Sequence, residues 1–176
     1  MPQTKPAYSR VSIGLHWLML VLLVAVYASI LLREIYPRGS DPREALKAWH
    51  FMLGLTVFLL VWARLLARFF TSRSSTPRSW NDWLAAAMHV ALYAFMIAMP
   101  RLGWLTLSAG GKPIPFFGLS LPALTAPDEA LADQVKDVHE TIGVVGYWLV
   151  GLHAVAALFH HYVLRDGTLK RMLGRA

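Results

Sequence analysis

Charged residues are absent from four long stretches of the chain. Ile13 to Leu32 carries none, and Ala48 to Ala63 carries none before Arg64 interrupts an apolar run that resumes from Leu65 to Phe70. Trp83 to Pro100 and Thr141 to Leu164 complete the set. An α-helix rises about 1.5 Å per residue, so each run with its flanks can cross a hydrocarbon layer of roughly 30 Å. The pattern predicts an all-α fold, an integral membrane four-helix bundle in which Arg64 snorkels from the second helix. Lys5 and Arg10 precede the first run, and Val26-Tyr27-Ala28 loosely imitates a signal-peptide cleavage site. The apolar run continues beyond that site and is long enough to span, so it reads as a membrane helix.

The connections differ in character. Arg33 to Lys47 is a short loop with Pro37 and Gly39, while Ser108 to Pro127 is rich in Gly and Pro and is expected to be irregular. Asp128 to Glu140 has a helical pattern, so the fourth helix is expected to start well before its apolar part. No internal repeat divides the chain, and residues 1–176 read as a single domain. The amino terminus, the 64–82 connection and the tail after Leu164 hold ten Lys/Arg: Lys5, Arg10, Arg64, Arg68, Arg73, Arg78, Arg165, Lys170, Arg171 and Arg175. The other two connections hold seven. The excess, carried by short juxtamembrane segments, predicts that both termini are cytoplasmic.

Composition sharpens this picture. Of 176 residues, 56% are hydrophobic and only 15% charged, so a lipid bilayer is the natural solvent. There is no cysteine, which removes disulfides, iron–sulfur clusters, thiol catalysis and covalent C-x-x-C-H haem attachment. A net charge of +7 would favour nucleic acid in a soluble protein. Here the basic residues flank apolar runs, which points to lipid head groups and anionic ligands, with no nucleic acid.

Seven histidines remain, all within or at the ends of the spans: His16, His50, His89, His139, His153, His160 and His161. Ionisable groups at membrane depth are costly and mark function. His139 and His153 are fourteen residues apart on one helix, an advance of about 21 Å that returns to nearly the same face. Gly146 stands midway, so a flat macrocycle could lie above and another below. With the termini inside, His50 matches the depth of His139 near the outer surface, and His16 matches His153 deeper toward the cytoplasm. Two pairs at two depths accommodate two six-coordinate haems b per chain. His89 shares the inner depth and stands as the alternative inner ligand. Otherwise it would bond a propionate, a quinone or a carbonyl. His160 continues the stripe to the cytoplasmic surface, where a propionate or quinone contact is expected; His161 points elsewhere. Isolated intramembrane histidines are often only interhelical hydrogen bonders, and a zinc site would want cysteines or carboxylates that these spans lack.

The segment Tyr8-Ser9-Arg10 with His16-Trp17, the His50 after a short loop, Lys136-x-x-His139-Glu140, and Gly151-Leu152-His153 with His160-His161 together resemble the bacterial cytochrome b561 family. The resemblance covers nearly the whole chain. It implies a four-helix di-haem b protein of the bacterial inner membrane, related to the cytochrome b subunits of nickel–iron hydrogenases and formate dehydrogenases. It assigns the haem iron ligands to His16, His50, His139 and His153. It also implies a superoxide:ubiquinone oxidoreductase that takes electrons from superoxide at the outer face and passes them to ubiquinone.

On that reading an anion is drawn to the outer haem by Arg33, Arg38, Arg43, Lys47, Arg101 and Lys136, diluted by Glu34 and Glu44. Lys136, one turn from His139, is the candidate catalytic residue. Ser9, Arg10, Trp17, His160 and the Arg73 to Arg78 loop are candidates for a quinone site near the cytoplasm. Two other readings compete. One is a haem b membrane-anchor subunit relaying electrons between quinone and a hydrogenase or dehydrogenase partner. The other is a haem-free four-helix transporter or assembly factor.

Overall fold

A computed structural model describes residues 9–71 and 79–174. Expectations that rest on Lys5, Tyr8, Arg73, Arg78 and Arg175 fall outside the described residues. The first helix, α1 (Arg10–Leu32), begins where the Ser9 hydroxyl accepts the Ser12 backbone N–H at 3.1 Å, satisfying one of the free amides of a helix start. A 3₁₀ turn (Arg33–Ile35) and the left-handed Gly39 (φ +80°) reverse the chain into α2 (Asp41–Thr71). Next comes α3 (Trp80–Ala109), opened by a reciprocal capping box between Ser79 and Asp82. The hairpin strands β1 (Ile114–Phe116) and β2 (Leu119–Leu121) follow. Then α4 (Glu129–Phe159) starts where Asp128 accepts the Leu131 N–H at 3.0 Å. It ends in a π-helical turn (His160–Leu164), and a short α5 (Thr168–Met172) closes the chain.

Four of these helices are long and apolar enough to cross a membrane, as the sequence pattern predicts. The third helix runs through Pro100 to Ala109, close to the expected start of the next connection at Ser108. Proline removes one N–H and usually ends a helix in water, but breaking the backbone ladder in hydrocarbon would strand several amides at once. The connection after it is not wholly irregular, because β1 and β2 pair antiparallel with Ile114 opposite Leu121. The turn places Phe117 (φ +46°) and Gly118 (φ +85°) in left-handed conformations, as two-residue hairpin turns require. Ile114 packs with Leu55 and Leu107, and Trp104 donates through Nε1 to the Pro122 carbonyl at 3.0 Å. This hairpin covers one end of the bundle, which we call the upper end. The described ends of the chain lie at the lower end, where the Trp17 indole of α1 donates to the Met172 carbonyl at 2.9 Å.

Backbones of α1 and α2, of α2 and α3, and of α3 and α4 lie against one another, while α4 makes no comparable backbone contact with α1 or α2. Met19, Val57, Val61, Phe95 and Met96 form the buried centre at mid-height. Gly146 of α4 belongs to this layer: a methyl group there would overlap the Phe95 ring and the Tyr27 hydroxyl. Valines at 21, 24, 90, 144 and 155 are exposed and face outward, as expected where lipid replaces water.

Candidate functional site: two levels of histidines

Helical register puts polar side chains from different helices at two heights. At the upper level His50 of α2 and His139 of α4 approach with ring centroids 6.2 Å apart and planes at 78°. At the lower level His16 of α1 and His153 of α4 stand 6.2 Å apart at 67°. Both pairs bridge from α4 to helices whose backbones it does not touch closely. An imidazole–metal bond of about 2 Å, added to a ring radius of about 1 Å on each side, separates the centroids of two axial imidazoles by about 6 Å. Each pair therefore has the spacing for one iron between its rings.

The surroundings agree with ligation. Nδ1 of His50 is bonded to the Val26 carbonyl of α1 at 3.0 Å, which fixes the ring and leaves Nε2 as the nitrogen available to a ligand. His139 lies against Gly103, where an added Cβ would stand 3.5 Å from the ring, and its Nδ1 is buried without a hydrogen-bond partner. Nδ1 of His16 is likewise buried and unpartnered. Buried polar atoms are rarely left so, which marks both levels as polar sites inside the bundle, with the opposite ring nitrogen, Nε2, the one left to take a bound group. Among the described residues no three His, Cys, Asp or Glu side chains are arranged to hold a bare metal ion.

His89 is also at the lower level, 5.7 Å from His153, with Nδ1 held by the Ala85 carbonyl of its own helix at 2.5 Å. It is a third imidazole beside a pair. His160 is drawn away from the stripe: its Nδ1 is bonded to the Asp166 carboxylate at 2.7 Å, within the π-helical end of α4. His161 stacks edge-on against its neighbour Tyr162. Arg10 is exposed in the first turn of α1, about 9 Å along the helix from His16.

Cations at the upper end are more engaged than their sequence positions imply. Arg33 and Arg43 both grip Glu34, at 2.8 and 3.0 Å, and Arg43 also donates to the carbonyls of Arg33 and Tyr36. Lys47 pairs with Glu44 at 3.3 Å and Lys136 with Glu140 at 3.7 Å. Of the six cations expected to steer an anion, Arg38 and Arg101 have no carboxylate partner among the described residues.

Sequence reading passed over three contributors. Gly103 on α3 and the Val26 carbonyl on α1 seat the upper rings, and Arg64 on α2 lies at the lower level. A fourteen-residue interval was the available signal: it separates His89 from Gly103 and His50 from Arg64 just as it separates His139 from His153.

A membrane four-helix bundle with opposed imidazoles at two heights defines the class of membrane b-type cytochromes. Comparison with known proteins places the chain within that class. The family profile of prokaryotic cytochrome b561 matches residues 7–175. "Cytochrome b561 homolog 1" of Escherichia coli is 34% identical, over 96% of this chain and 97% of its own length. "Probable superoxide oxidase CybB" of Yersinia pestis is 37% identical, over 94% and 95%. "Cytochrome b562" of Cereibacter sphaeroides is 30% identical, over 96% of both chains. The chain belongs to the prokaryotic cytochrome b561 family: it is a haem b-binding, multi-pass bacterial membrane protein that transfers electrons.

Proposed function

We propose that the chain holds two haems b, one between His50 and His139 and one between His16 and His153, and oxidises superoxide with ubiquinone as acceptor. The equal 6.2 Å separation of the two pairs carries this reading. In it the upper end faces the periplasm, both termini are cytoplasmic and the membrane is the bacterial inner membrane. Haem supplies reversible one-electron exchange at each level. The protein's own part is positional. The Val26 carbonyl fixes the His50 ring, Gly103 makes room for His139, and the Tyr27–Phe95–Gly146 layer holds the two levels apart. His16 is preferred to His89 as the lower ligand because its distance to His153 equals that of the upper pair.

The choice of superoxide is supported by the likeness to the Yersinia pestis relative and by Lys136, three residues from His139. A second reading, a subunit relaying electrons between quinone and a dehydrogenase or hydrogenase partner, draws on the ion pairs that already occupy Arg33, Arg43, Lys47 and Lys136. Stopped-flow mixing of the purified protein with superoxide decides between them. Superoxide oxidation predicts rapid haem reduction that ubiquinone reverses. Reduction by quinol with none by superoxide would leave the relay reading in its place.

A further inference from the structure

Arg64 occupies an unusual place for a guanidinium. On α2 it follows His50 by fourteen residues, so it presents at the lower level the same helix face that His50 presents at the upper one. The sequence pattern predicts that it snorkels toward the surface. Instead its guanidinium lies half-buried over the Tyr93 ring of α3, 5.9 Å from the ring centre. It is near enough to His16, His89 and His153 to act electrostatically on all three. Each of the four spans thus contributes one polar side chain to this level: His16, Arg64, His89 and His153.

Among the described residues no carboxylate pairs with Arg64. The upper level is different, because Arg33, the cation that bears on His50, is already held by Glu34 at 2.8 Å. A charged group within a span is costly unless it finds a partner, and the face of one tyrosine is a weak substitute for an anion. Haem b carries two propionates, and a guanidinium fork matches a carboxylate in geometry and charge.

We propose that Arg64 binds a propionate of the lower haem, and that this pairing makes the lower haem the more easily reduced of the two. The inference rests on the ligand assignment above. A propionate neutralised by a guanidinium no longer opposes the electron that converts ferric to ferrous iron, whereas Arg33, the cation that bears on the upper pair, is already neutralised by Glu34. Electrons that arrive at the upper haem then run downhill toward the terminal end.

The test is a redox titration of the quinone-free holoprotein. The parent should show two one-electron steps, the higher of them missing from His16→Ala. Arg64→Gln should lower that step by about tenfold in equilibrium constant, which for one electron is about 59 mV, and leave the other step in place. Arg64→Lys should keep most of the potential but shift the propionate bending band in the resonance Raman spectrum. That variant carries the test if Arg64→Gln does not retain haem. Unmoved potentials and an unchanged propionate band would overturn the proposal, as would a shift in the upper haem alone. A shift seen only when ubiquinone is present would assign Arg64 to the quinone instead. One haem per chain by pyridine haemochrome would instead count against the ligand assignment, separately from Arg64.

Discussion

The hydroxyl of Tyr27 in α1 donates a 2.8 Å hydrogen bond to the backbone carbonyl of Gly143 in α4, joining two helices whose backbones otherwise stand apart. One turn on, Gly146 receives that hydroxyl and the Phe95 ring into the space a side chain would fill. Tyr147 stacks on Tyr27 with ring centres 4.2 Å apart. Gly146→Ala must push Phe95 or Tyr27 aside in a layer with little slack. Overpacking of this kind costs about 1–3 kcal/mol, so the variant should show a lower Tm in detergent, read by the temperature at which the haem spectrum is lost. An unchanged Tm would mean that the layer is loosely packed.

Haem content should follow the pairs. His139→Ala and His50→Ala should each bring the protein from two haems to about one, because the levels are separate, and the remaining haem should keep a low-spin bis-histidine spectrum. His16→Ala and His153→Ala should remove the other haem. If His50→Ala emptied both levels, folding rather than ligation would control haem retention.

His89→Ala should retain two haems with a shifted lower potential, since a neighbour of an axial ligand tunes the iron without holding it. Loss of the lower haem from this variant, with its retention in His16→Ala, would reverse the assignment.

Much of this arrangement was legible in the sequence. The His139–Gly146–His153 stripe and the depths of His16 and His50 follow from helical rise alone, and the structure brings both pairs together. Pairing of charges was not legible. Arg43 reaches Glu34 only because Gly39 folds the loop back. Three prolines, at 113, 115 and 122, hid the hairpin by masking strand alternation. Arg64 read as an interfacial residue because its direction depends on where Tyr93 stands, which no single-helix pattern contains.

Superoxide-driven reduction should depend on salt. Fields that steer a small anion are screened over about 8 Å at physiological ionic strength, so the rate should fall as salt rises while reduction by a neutral quinol does not. Lys136 is partly compensated by Glu140. Lys136→Glu should therefore slow the superoxide reaction, by roughly threefold, and Glu140→Gln should quicken it. A rate indifferent to salt and to both variants would remove the steering argument and favour the relay reading.

The lower end should be acid-sensitive. Burial pushes the Asp166 carboxyl up, but hydrogen bonds from the Thr168 backbone N–H and His160 outweigh this and hold it at about 2. A carboxyl lowered on folding stabilises the fold above its unfolded value of about 4, and that stabilisation is lost as pH falls toward 2. Asp166 is partly exposed, so the effect is local: between these limits α5 should loosen from Trp17. Trp17 fluorescence should report the release, and Asp166→Asn should show it already at neutral pH.

The helix pairing also orders the protein's biogenesis. Because α1 packs on α2 and α3 on α4, the chain can enter the bilayer as two successive helical hairpins. Both proposed ligand pairs take one member from each hairpin, and the latch between Trp17 and Met172 joins the first helix to the short helix that follows α4. A nascent chain arrested after α3 has no complete iron site at either height. Cofactor capture is therefore expected only once α4 has been made and inserted. Truncated chains ending before residue 129 should insert into the membrane yet show no haem absorbance, with the metalloporphyrin acting as the final clamp between two preassembled halves.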